Sequence, residues 1–163
     1  MPRESGIVVR QGAEADRDWI KGLLRKYWAS TNIASRGQLH DASRLPALVA
    51  VLKGRRIGLL TYRIAEDECE IVTLNSVSEN TGAGTALVQA AEHRASLEGC
   101  TRMRLITTND NTNALHFYQK RGFHIVAVRL KAIERARKLK PEIPVSGLDG
   151  IPISDEIELE KSI

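Results

Sequence analysis

The chain has 163 residues, 42% hydrophobic and 27% charged, with 24 Lys and Arg against 20 Asp and Glu for a formal net charge of +4. That balance excludes a disordered or fibrous chain and fits a single domain, 1–163, with a core of about 6–130 and a C-terminal helix and tail over 131–163. No window approaches the roughly 18 uninterrupted apolar residues of a membrane span, and "MPRESGIVVR" lacks the apolar middle of a secretory signal, so a cytoplasmic protein with no membrane partner is expected.

"IVVRQG" opens as a strand. Residues 18–28 then put Ile20, Leu23, Leu24 and Tyr27 on one helical face, with Arg17, Lys21, Arg25 and Lys26 opposite, the pattern of an amphipathic helix. The polar, turn-rich "STNIASRGQLHDASRL" reads as a long connection, either a cover for a site or a plain surface loop. "ALVAVLKGRRIGLLTYRIAEDECEIVTLNSV" holds three apolar runs broken by "KGRR" and "AEDE", which predicts three consecutive antiparallel strands.

After the glycine-containing "SENTGAG", Leu87, Val88, Ala91 and Ala95 mark the apolar face of a second helix that ends near Gly99. "TRMRLITT" is a strand, "NTNALHFYQKRG" a short helix closed by Gly122, and "FHIVAVRL" a further strand. The two strand–helix–strand connections predict parallel neighbours. "KAIERARKLK" is an amphipathic helix stopped by Pro141, and "DEIELE" is a candidate last strand. The layout is mixed α/β.

Cys69 and Cys100 show no metal-ligand spacing and are too few for a disulfide framework, so inert thiols are expected. The four histidines form no ligand pattern, and no metal is implied. Basic residues are scattered and the aromatics offer no stacking platform, so nucleic acid is not expected as a partner. A homodimer paired through the terminal strand is the oligomer this layout allows.

Gly82 and Gly84 stand directly before a helix. Glycines there let a ligand approach the main chain, and the unpaired first-turn N–H groups with the positive end of the helix dipole make a seat for phosphate. A G-x-G turn that merely joins two elements is the other reading. The dinucleotide fingerprint fails because Leu87 occupies its third glycine position, and the P-loop Gly-Lys-Ser/Thr is absent.

The loop and the segment downstream decide between them. "SENTGAGTALV" followed by Asn111, Ala114, Tyr118, Gly122 and Phe123 resembles the GNAT superfamily of acetyl-CoA-dependent N-acetyltransferases, with its Q/R-x-x-G-x-G/A loop and N-x-x-A-x-x-x-Y-x-x-x-G-F segment. The resemblance covers about residues 7–130, and the tail looks like that of a bacterial subgroup. It implies an α/β (α+β) single domain: a central mixed, mostly antiparallel twisted sheet of about six or seven strands, helices on both faces, and parallel strands splayed at a cofactor cleft. Glu79 departs from the usual Gln or Arg, which removes a side-chain donor to the diphosphate.

The resemblance also implies the site. Acetyl-CoA, a cosubstrate used without metal, would lie against Leu74, Asn75 and Ser76 on the splayed strand, Thr81, Gly82, Ala83, Gly84 and Thr85 in the loop, and Asn111, Ala114 and Tyr118 on the later helix. Tyr118 takes the position whose hydroxyl donates to the leaving thiolate; packing alone also explains a tyrosine there. Glu70 takes the place of the general base in several members, its other reading being an exposed strand carboxylate in a surface ion pair. Simple alternation puts Glu68, Glu70, Val72 and Leu74 on one face. Asn111 is also a natural helix cap. The implied activity is transfer of acetyl to a small-molecule or peptide amine in a ternary complex; a noncatalytic acyl-CoA-binding or sensor domain is the alternative. Acceptor recognition is expected from residues 34–45 and the tail.

Overall fold

The computed structural model describes residues 6–78 and 80–163. β1 (Val8–Gln11) leads into α1 (Arg17–Trp28), whose Ile20, Leu23 and Leu24 are buried as the periodicity requires. Asp16, 1% exposed, fixes the entry to that helix. It accepts hydrogen bonds from Arg10 Nη1 (2.6 Å) and Nη2 (2.9 Å), Arg56 Nε (2.8 Å) and the Ala13 amide (2.7 Å). The Arg10 hydrogen bond above all holds the Asp16 carboxyl far below the usual carboxylate range, against the opposing effect of burial.

The polar connection that follows is a hairpin rather than an unstructured loop. β2 (Asn32–Ser35) and β3 (Gln38–Asp41) pair antiparallel across Arg36 and Gly37, whose φ values of 49° and 74° suit a two-residue turn with both centres left-handed. Within it, Ile33 and Ser35 are the buried residues. Such a short inward face carries too little alternation to announce a strand.

β4 (Ala47–Leu52), β5 (Arg55–Ala65) and β6 (Glu68–Ser76) form the expected antiparallel meander. α2 (Ala83–Leu97) then carries the chain across to β7 (Arg102–Thr108), parallel to β6. α3 (Thr112–Lys120), β8 (His124–Arg129), α4 (Ala132–Leu139) and β9 (Glu156–Ser162) complete the chain. The seven strands lie in the order β1-β4-β5-β6-β7-β9-β8, a mixed and mostly antiparallel sheet. On one face α2 and α3 pack Leu87, Val88, Tyr118 and Phe123 over Leu60, Ile71, Leu105 and Leu159; on the other, α1 and β2 pack Leu24 and Ile33 over Val49, Leu59 and Val72.

Two features differ from the sequence pattern. The α3 connection does not make β8 the parallel neighbour of β7, because β9 inserts between them and runs antiparallel to both. Both edges of β9 are thereby hydrogen-bonded, so the terminal strand offers no free edge for pairing a second copy. The second feature is a bulge in β6. Thr61 pairs with Thr73 and Tyr62 with Ile71, leaving Val72 without a cross-strand partner. Side-chain parity reverses there. Val72 stays on the α1 side with Glu70, whereas Leu74 joins Ile71 on the α2 side, so the single expected face is broken.

Cys69 and Cys100 are buried free thiols. Burial, reinforced by Cys100 and Glu70, pushes the Cys69 thiol up to about 12, and burial with Asp67 and Glu98 raises that of Cys100. Ellman's reagent at pH 8 should therefore leave both unmodified in the folded protein and titrate both in denaturant. Prompt native reaction of Cys69 would show that its environment is not closed.

Candidate active site

β6 and β7 pair only from Glu68↔Arg102 to Ile71↔Leu105. Beyond that level β6 continues to Ser76 and β7 to Thr108 without pairing with each other. The bulge at Val72 turns β6 away at the same level, so strand register opens the gap. Main-chain groups beyond Val72 then face an opening instead of a neighbour.

A cavity of about 770 Å³ fills the α2–α3 side of this gap. Leu74, Asn75, Ser76, Thr81, Gly82, Ala83, Gly84, Thr85, Asn111, Ala114 and Tyr118 all line it, so the structure gathers every expected cofactor contact around one space. Gly82 caps α2 with φ of 84°, and Asn80 precedes it at 58°. The first full-turn hydrogen bond runs from Ala86 N to Gly82 O at 3.0 Å, leaving the Gly84 and Thr85 amides upstream of the helical ladder. A Cβ on Gly84 would stand 3.3 Å from the Phe117 ring, so α3 closes tightly on the loop. Glu79 lies outside the described residues.

Tyr118 is 6% exposed, its ring set edge-on to Phe117 and Phe123 with centroids 5.1 and 5.3 Å apart. Burial pushes its phenol above the usual tyrosine range, against a smaller opposite pull from Arg121. Among the described residues nothing hydrogen-bonds its hydroxyl, although the residue lines the cavity. A hydroxyl without a protein partner at a cavity wall is available to a ligand acceptor. Asn111 does cap α3, its Oδ1 accepting from Ala114 N at 3.1 Å.

A second cavity, about 930 Å³, lies on the other side of the sheet between α1, the β2–β3 hairpin and α4. Tyr27, Trp28, Ile71, Val72, Ile106, Thr107 and Asn111 belong to both walls, so the two spaces meet at the splay. Glu70 lines the second cavity and not the first. It is not the exposed carboxylate of a surface pair: at 3% exposure it accepts from Arg104 Nη2 (2.9 Å) and Ser35 Oγ (3.1 Å), with Arg63 Nη1 at 3.5 Å. Tyr118 and Glu70 thus stand on opposite faces of β6.

The sequence profile of the acetyltransferase (GNAT) family matches residues 14–123. The chain belongs to the GNAT acetyltransferase family. It is 41% identical over 158 residues to the uncharacterized protein YdhI of Bacillus subtilis, covering 96% of this chain and 99% of that one. It is 39% identical over 151 residues to YxbD of the same organism, covering 92% and 95%. Among solved structures, an IAA acetyltransferase from Bacillus cereus superposes with a TM-score of 0.75 at 22% identity over 96% of this chain and 99% of that one. A GNAT acetyltransferase from Elizabethkingia anophelis with acetyl-CoA bound gives 0.69 at 19% identity, over 97% and 99%. These likenesses establish the GNAT fold.

Several charged residues around the GNAT cleft escape the motif. Arg121 donates to Thr85 Oγ1 from Nε (3.1 Å) and Nη2 (2.5 Å) and to Phe117 O from Nη1 (2.8 Å), with its guanidinium 3.6 Å over the Phe117 ring centre. That fixes a cation at the loop where Glu79 replaces the usual Gln or Arg donor, and Arg121 immediately precedes the Gly122–Phe123 pair that carried the motif. Beneath the second cavity, Arg104, 2% exposed, joins Glu70, Glu68 (3.0 Å) and Glu158 (3.3 Å). Glu158 also pairs with Arg36 and Arg129. Burial pushes the Glu158 carboxyl up, but the Arg36 hydrogen bond and the charges of Arg36, Arg129 and Arg104 outweigh it and hold the group below the usual range. The i, i+2 spacing of Arg102 and Arg104, and of Glu156, Glu158 and Glu160, is the sequence signal of this ladder.

Proposed function

We infer that the protein transfers the acetyl group of acetyl-CoA to a primary amine by direct attack in a ternary complex. The observation that supports this best is the meeting of the two cavities at the splay, with an unpartnered phenol lining one and a carboxylate in the wall of the other. Bound acetyl-CoA supplies an activated thioester acetyl. The loop amides of residues 82–85, with Arg121 beside them, suit its diphosphate. The open main chain of β6 from Val72 to Ser76 suits the pantetheine arm and the thioester oxygen.

The amine enters from the second cavity. Glu70 takes its proton, with the Ser35 hydroxyl at 3.1 Å as the nearest relay. As nitrogen bonds the acetyl carbon and the carbon–sulfur bond breaks, Tyr118 donates its proton to sulfur. The engagement of both Glu70 oxygens by Arg104 and Ser35 favours a second reading, an acyl-CoA-binding domain without turnover.

CoA at 100 times its dissociation constant should stabilise the fold by about 2.7 kcal/mol and shift the amides of residues 82–85 in an NMR titration. Thiol release from acetyl-CoA with an amine panel then supports the enzyme. Stabilisation without release supports the binding domain, and no stabilisation removes both.

A further inference from the structure

The second cavity is lined by Arg25, Lys26, Arg36, Arg129, Arg135 and Lys140, against which stand Glu70, Glu142 and Glu156. Glu70 is already neutralised from below by Arg104 and Arg63. Two of the cations are also incompletely satisfied. Lys140 is only 6% exposed, donates one hydrogen bond, to Trp28 O at 2.5 Å, and forms no ion pair among the described residues. Glu142 acts on it only electrostatically, without a close pair, and burial outweighs that attraction; an ammonium has three donors, so two remain for a group beside it. Arg129 holds Glu158 through Nη2 at 3.5 Å while its buried Nη1 has no acceptor. That nitrogen is closed off from the cavity, but the Arg129 side chain belongs to the cavity wall and brings its charge there.

We propose that the acceptor is an amine that also carries an oxyanion, a carboxylate or a phosphonate, held by Lys140 with the charge of the Arg129 guanidinium in the same wall as a second attraction. The proposal rests on the transferase reading and names the substrate class of its acceptor chamber. An excess of cations there has a second consequence. It destabilises the ammonium form of the acceptor and so favours the neutral amine that attacks. An oxyanion recruits the substrate that the same charge would otherwise repel.

The test compares matched acceptors in the CoA-release assay: amino acids against their carboxamides, and aminoalkylphosphonates against alkylamines. One charge-assisted hydrogen bond contributes about 1.5–3 kcal/mol, so the anionic member of each pair should show kcat/KM higher by about 10- to 100-fold, mainly through KM. In Lys140→Met that ratio should collapse toward one. Lys140→Met should fold, since it replaces a buried ammonium that has no close ion pair with an apolar chain of similar length; Arg129→Gln provides the second variant and should lower the ratio less. The carboxylate and phosphonate pairs tell which oxyanion the chamber prefers.

A binding readout separates this from the transferase reading. In CoA-saturated protein, methylphosphonate or malonate should raise the melting temperature of the parent and not of Lys140→Met. A shift in neither protein, an equal shift in both, or a preference for uncharged or polycationic amines overturns the oxyanion site. Absent thiol release with every amine, alongside a Lys140-dependent shift, would instead remove the transferase reading and leave the oxyanion site standing.

Discussion

Tyr118→Phe is expected to lower kcat by about 10²- to 10⁴-fold, the usual contribution of a positioned general acid, while leaving the affinity for CoA and the melting temperature close to the parent values. The prediction rests on what the hydroxyl does in the fold, which is nothing that can be measured as a contact. The ring makes the edge-on packing with Phe117 and Phe123, and phenylalanine retains it. The hydroxyl lines the cavity with no hydrogen-bond partner among the described residues, so its removal breaks no native bond. A purely structural tyrosine would then give an active variant. The pH profile carries a second signature. Burial raises the Tyr118 phenol, so it stays protonated through the alkaline range in which an ordinary tyrosine ionises. No loss of rate assignable to its ionisation is expected until pH exceeds the usual tyrosine value. Steady-state kinetics of both proteins from pH 6 to 10 decide the matter: an unchanged kcat removes the acid role, whereas an alkaline limb in this range that vanishes in Tyr118→Phe would keep the role and show that burial does not raise the phenol.

How far the sequence reveals this protein depends on whether a feature is local. The α2 loop and the α3 segment are local: each sets its own backbone geometry within a dozen residues, and both were legible as motifs whose residues line one cavity. The meander and the amphipathic α1 were legible for the same reason, through periodicity. The position of β9 was not. "DEIELE" reads as a strand, but nothing within it says that it passes between β7 and β8, since pairing partners lie tens of residues away. The bulge at Val72 was equally hidden. It arises from a register step against Thr61 and Tyr62, and it alone separates the face of Glu70 from that of Leu74. The second cavity suffers from both effects, because its walls come from α1, a weakly patterned hairpin, α4 and β9. Its charges looked like scattered surface residues until the sheet order placed them together.

Arg104→Met should destabilise the fold by about 3–5 kcal/mol, the cost of breaking a buried ion pair by removing one partner. At about 2–4 °C per kcal/mol for a domain of this size, the melting temperature should fall by roughly 6–20 °C. Methionine fills much of the same volume, so packing contributes little of that loss. The larger effect is electrostatic: Glu70 keeps only Ser35 and the more distant Arg63, while Glu68 and Glu158 each lose their most buried cation. Lysine should rescue poorly, because one ammonium cannot replace the separate Nε, Nη1 and Nη2 contacts. The pH dependence identifies the cause. Glu158 is held below its ordinary value, so its contribution is present above the unfolded carboxylate range and disappears as pH falls through the folded value. Without Arg104 that contribution shrinks, because one of the charges holding Glu158 below its ordinary value is gone. The gap between parent and variant should therefore be widest near pH 7 to 8 and narrow toward pH 4, where protonation relieves the uncompensated charge. Thermal melts across that interval provide the measurement. A gap that stays constant with pH would mean that Arg104 acts through its shape and not through its charge on the carboxylates of the ladder.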